Sequence, residues 1–201
     1  MTPQPASRAL RFALAGTAIT ALSACQVPEP TPQDQFFAAF EPYCGKSYAA
    51  EVVADNQPSE AWQQELVVHI RDCEANTIRM PLHVGEDRSR TWVLTRTEKG
   101  LDFQHIHLHE DGTPDAVSPY GGHTIASGDA QMQAFPVDDA SKALFVENGL
   151  EVSTTNTWIL SFDGDVMYYE LTRPGREFVV AVDLSQPIAE PPAAWGYDGK
   201  E

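Results

Sequence analysis

Two stretches, Leu66-Val-Val-His-Ile-Arg71 and Thr77-Ile-Arg-Met-Pro-Leu-His-Val84, decide the fold. In the first, Leu66, Val68 and Ile70 alternate with Val67, His69 and Arg71. In the second, Ile78, Met80, Leu82 and Val84 alternate with Thr77, Arg79, Pro81 and His83. Successive side chains of a strand point to opposite faces, so this period of two predicts half-buried β-strands. Working outward, the same pattern predicts strands at 47–54, 91–97, 101–109, 124–127, 131–135, 157–162, 166–172 and 177–184. Several joins are short: Glu98-Lys99-Gly100, Asp163-Gly164 and Pro174-Gly175 have hairpin-turn chemistry, with glycine available for positive φ. Strands joined this way follow one another as an antiparallel meander.

Helical character is confined to two segments. Residues 34–40 place Phe36, Phe37 and Phe40 on one side and stop before Pro42. Residues 138–145 open on Asp138 and Asp139, which suit a helix N-terminus, and are followed by Asn148-Gly149. The expected class is therefore all-β, a meander of about eight to ten strands closing into a barrel with two short helices. Closure removes the unpaired edges that an open meander would expose. The shape resembles the lipocalin-like (calycin) barrels, whose first strand carries Gly-x-Trp. Here Gly45-Lys46-Ser47-Tyr48 stands at that place, with tyrosine at a different spacing. A second resemblance, to a group of uncharacterised bacterial secreted proteins and lipoproteins, rests on Arg90-Thr-Trp-Val-Leu-Thr-Arg96, His107-Leu-His-Glu-Asp-Gly-Thr-Pro-Asp115 and Tyr120-Gly-Gly122. It spans 44–184 and implies no activity.

The first 24 residues hold Arg8, Arg11 and no acid, then the eleven-residue run Phe12-Ala-Leu-Ala-Gly-Thr-Ala-Ile-Thr-Ala-Leu22. A helix needs about 20 apolar residues to span a bilayer, so the segment reads as a signal peptide. Leu22-Ser23-Ala24-Cys25 resembles the lipobox of bacterial lipoproteins. That resemblance implies cleavage before Cys25, lipidation of its thiol and anchoring to a membrane through acyl chains. Gln26 after the cysteine implies the outer membrane in a two-membrane bacterium. Residues 25–33, rich in proline, are expected to form a tether, 34–186 the single barrel domain, and 187–201 a Pro-rich tail that packs loosely or is disordered, with Trp195 as its one anchor.

Without residues 1–24 the chain carries 11 Lys and Arg against 29 Asp and Glu. Nucleic acid is an unsuitable partner for such a surface, because phosphates require cations on the protein. With Cys25 set aside, Cys44 and Cys73 remain in an oxidising compartment and are expected to pair as a disulfide.

His105-Ile-His107-Leu-His109 places three imidazoles on one face of a strand, about 6.6 Å apart in succession. Two neighbours with a third ligand from elsewhere would suit zinc. If Leu101 and Phe103 set the inside, the histidines line the interior; if Ile106 and Leu108 do, they face solvent; a bulge near Gln104 would reconcile both. Glu110-Asp111-Gly112-Thr113-Pro114-Asp115 lacks the spacing of a calcium loop and reads as a turn, and Tyr120-Gly121-Gly122-His123-Thr124 reads as a loop. No Gly-x-Ser-x-Gly, His-Glu-x-x-His or dinucleotide fingerprint occurs.

Trp92, Trp158, Tyr168, Tyr169 and Phe178 are the expected large interior groups. Trp92, Phe103, Trp158 and Tyr168, with Arg96 as an inward cation, form the expected ligand contacts. Three functional classes follow: an anchored envelope barrel that binds a small ligand or partner, a metal-dependent enzyme or metal-binding protein on the histidine strand, and a structural protein with a filled core.

Overall fold

The computed structural model describes residue 1 and residues 29–197. Residues 2–24 of the signal peptide, Cys25 and residues 26–28 of the tether lie outside the described residues. A short helix, α1 (Pro32–Ala38), comes first. The Thr31 hydroxyl accepts from the Asp34 amide at 3.1 Å, and the Asp34 carboxylate accepts from the Thr31 amide at 3.0 Å, a reciprocal cap. Eleven strands follow: β1 (Lys46–Asp55), β2 (Leu66–Ile70), β3 (Asp72–Cys73), β4 (Thr77–Val84), β5 (Asp87–Thr97), β6 (Gly100–His107), β7 (Tyr120–His123), β8 (Met132–Pro136), β9 (Thr157–Asp163), β10 (Val166–Arg173) and β11 (Arg176–Asp183). A second helix, α2 (Asp139–Glu147), lies between β8 and β9.

All pairings are antiparallel, in the order β7-β6-β5-β4-β2-β1-β11-β10-β9-β8, with β3 on β4. The first and last strands of that order meet at Gly122 and Val137, and the Asp138 amide donates to the Gly121 carbonyl at 3.0 Å. The sheet is thus nearly closed into a barrel, and among the described residues no helix is long and apolar enough to cross a membrane.

The seam revises one reading. Gly121 and Gly122 lie on a strand, while 124–127 does not; Thr124 instead turns its hydroxyl to accept from the Leu101 amide at 3.1 Å. A Cβ on Gly121 would stand 2.0 Å from the Phe103 carbonyl oxygen, and one on Gly122 2.1 Å from that of Pro136. Paired glycines, which usually weaken strands, here permit a backbone approach that any side chain would block.

The core follows the predicted alternation. Leu66, Val68 and Ile70 of β2, Ile78, Met80 and Leu82 of β4, and Val180 and Val182 of β11 are all buried. Phe36 and Phe40 of the N-terminal segment enter one end of the barrel and pack on Phe162, with ring centroids 5.5 and 5.0 Å away. That end is filled. Each such phenyl removed from water contributes about 1.5–3 kcal/mol. Cys44, just after this plug, is bridged to Cys73 of β3 with Cα atoms 5.9 Å apart.

The tail is docked, contrary to the expected loose packing. Ile188 bridges to Ser47, the Trp195 amide donates to the Arg88 carbonyl at 3.0 Å, and Tyr197 lies 3.6 Å under the Arg71 guanidinium. It approaches the outward face of β2 and β4, where His69 and His83 are buried.

Candidate functional site: an aromatic cavity at the open end

Opposite the plug, the barrel holds a cavity of about 340 Å³. Its depth is aromatic. Trp92 of β5 stacks on Tyr169 of β10, centroids 4.4 Å apart and planes 10° apart, and His105 of β6 stacks on Tyr120 of β7 at 4.8 Å and 6°. Trp158 of β9 and Phe145 of α2 complete this part. Toward the mouth the wall becomes charged: Arg90, Asp115, Arg173 and Arg176, with Trp62 beside them.

Hydrogen bonds order the deep wall. The Tyr169 hydroxyl lies 3.0 Å from His105 Nε2, whose donor and acceptor roles depend on the imidazole tautomer. His105 Nδ1 is buried without a hydrogen-bond partner. The Tyr120 hydroxyl lies 3.2 Å from His107 Nε2.

Burial dominates the ionisation of these groups. His105, 3% exposed, is pushed down to about 3 by burial, with nearby His107 adding to the effect. His107 is lowered by burial and then by Arg90, partly offset by Asp115 and Asp87. Tyr120 is pushed up to about 12, and Tyr169 well above its ordinary value, both chiefly by burial. The imidazole of His105 and both phenols are therefore uncharged at neutral pH. Such a wall offers fixed dipoles and ring faces, whereas proton transfer is served best by groups titrating near the working pH.

The β6 register is continuous, with no bulge at Gln104: Leu101, Phe103 and His105 point inward and Ile106 outward. His107 meets the cavity higher up, and His109 lies exposed beyond the strand. The three imidazoles do not converge. Nε2 of His105 and of His107 each face a tyrosine hydroxyl, and neither ring belongs to a convergent group of metal-ligand side chains among the described residues. Such a group exists elsewhere, on the outer face, where Asp102, His123 and Asp138 bring ligand atoms within 4.8 Å of one another. Gln104 Nε2 lies 3.2 Å from both of those carboxylates.

Of the expected ligand contacts, Trp92 and Trp158 line the cavity. Phe103 is fully buried and packs on Phe135 and Tyr169. Tyr168 is half-buried on the outer face, and its neighbour Tyr169 takes the inward place. Arg96 lies at the plugged end, 3.5 Å from Asp34 and over Phe37. Sequence reasoning missed Arg90, Tyr120, Phe145, Arg173 and Arg176. Arg90 shares the period of Trp92, and Arg173 and Arg176 flank the Pro174-Gly175 turn, so a signal existed for these three. Tyr120 and Phe145 come to the site only through the seam.

Compared with protein-family models, with curated proteins and with solved structures, the chain finds no match. The nearly closed antiparallel barrel is compatible with the lipocalin-like architecture, and no family match accompanies it.

Proposed function

We propose that this chain is a lipid-anchored envelope protein whose barrel holds a small organic ligand in the cavity at its open end. The observation that carries the ligand is the contrast within one core. Barrel diameter grows with strand number, and about eight strands already leave an interior that side chains fill or that holds one small ligand; in this ten-strand order one end is filled, yet the other keeps about 340 Å³ lined by aromatic faces with a polar mouth. Volume, aromatic lining and a few convergent polar groups are the usual attributes of a ligand site. The anchor rests on Leu22-Ser23-Ala24-Cys25.

Titration with the neutral fluorophore N-phenyl-1-naphthylamine tests the cavity. The probe should brighten saturably with wild-type protein. Leu171→Trp, which fills the cavity, should abolish the response while leaving the circular dichroism intact. Equal binding by the filled variant would refute the assignment. For the anchor, Cys25→Ser should leave an unprocessed precursor without incorporated acyl chain. Acyl labelling at the wild-type level would remove that part of the reading.

A further inference from the structure

We propose that the cavity selects a monoanionic ligand with an apolar ring body, its carboxylate or sulfonate held by Arg173. This rests on the ligand-binding reading above and deepens it.

Three strands repeat one order from depth to mouth. On β5 Trp92 precedes Arg90 outward, on β10 Tyr169 and Leu171 precede Arg173, and on β11 Phe178 precedes Arg176. Each inward face thus grades from ring to guanidinium over two or four residues, about 7–13 Å at the strand rise. That matches the long axis of an amphiphile. The wall holds three arginines and one acid, Asp115, in a chain with 29 acids and 13 bases.

Two of the three arginines already have counter-ions. Arg176 lies 2.5 Å from Asp55, and Arg90 contacts Asp87. Arg173 does not. Its Nη1 donates to the neutral Asn156 Oδ1 at 3.0 Å, and among the described residues it forms no ion pair with a carboxylate. Its cross-strand partner, moreover, is Arg176 itself. Like charges directly opposite on a sheet are unfavourable unless something between them is negative. Burial and Arg176 together lower the Arg173 pKa, in keeping with a cation short of an anion. A guanidinium offers five donors in a planar fork that fits a carboxylate or sulfonate, and Asn156 uses one. One free cation fits one negative charge. Polyanions would meet Asp115 and the repulsion of a chain with net charge −16.

The discriminating pair of probes is 1-anilinonaphthalene-8-sulfonate and N-phenyl-1-naphthylamine, which share the ring system and differ by the sulfonate. Wild-type protein should bind the sulfonate at least about tenfold tighter, the effect of one charge-assisted pair, and this preference should shrink with added salt. Arg173→Gln should abolish the preference by weakening sulfonate binding at least about tenfold, with a circular dichroism spectrum that matches wild type and so reports an intact fold. Arg173→Lys, which keeps the charge without the fork, should retain an intermediate preference. Equal binding of the two probes by wild-type protein, or a preference surviving in Arg173→Gln, overturns the inference while leaving the cavity assignment standing. Failure of both probes to bind wild-type protein overturns the inference and the cavity assignment together.

Discussion

The two ends of the barrel are built from the same strands and finished in opposite ways. At one end Phe36, Phe40 and Phe162 close ranks at α1, and Arg96 lies over the Phe37 ring beside Asp34. At the other, rings stacked in pairs line the wall of a cavity, and arginines ring its mouth. Binary patterning does not distinguish these ends, because both read as alternating apolar strands. What differs is whether a separate segment supplies the filling. The helix before β1 does so at one end; α2 and the turn after it stand only at the flank of the other.

The largest expected effect tests that contrast directly. Phe40→Ala removes a phenyl ring packed on all sides and should cost about 3–5 kcal/mol in urea unfolding. Phe145→Ala enlarges a space that already exists and should cost less than half as much, because one side of its ring already lacks partners. Equal costs would break the distinction between a filled and a hollow end.

Acid should act next, and at the hollow end. His105 and His107 there, and His69 and His83 outside, are lowered chiefly by burial. In the unfolded chain each titrates near the ordinary value of about 6.5. The unfolded state therefore binds more protons below that value, and stability is lost as pH falls through this window toward the folded values, about 3 for His105. The free energy of urea unfolding should drop from pH 7 to 4.5 by on the order of 1–3 kcal/mol, and His105→Gln should flatten the slope. A free energy unchanged over that range would contradict the neutral, buried state assigned to these rings.

The smallest effect belongs to Arg96. Its partial exposure and 3.5 Å approach to Asp34 make a weak pair, so Arg96→Met should change stability by less than about 1 kcal/mol and leave probe binding untouched. A loss of binding in that variant would mean that the two ends communicate.

Strand positions were almost wholly legible, because alternation on β2, β4 and β9 to β11 reports a buried face directly. The direction of β6 was not. Ile106 and Leu108 look like an inward pair, yet they point outward, and Leu108 is met by Gly196 of the tail. A docked tail gives a strand two partly buried faces and so weakens its period. Tyr168 and Tyr169 posed the same difficulty, settled only by pairing: Tyr169 opposes Val180 and shares the inward face with Met167 and Leu171. The cavity itself was illegible, since a hollow is a property of side chains brought together from seven strands and three other segments.

The Cys44–Cys73 bridge has a mechanical consequence. Tension applied to the N-terminal segment can draw out α1 and the turn after it, but the load then passes through the bridge to β3. The 29-residue circuit holding β1 and β2 is bypassed. Roughly 100 Å of contour length is thereby withheld from extension, and a pull at the end nearest the plug reaches the sheet without first unzipping the strands it enters.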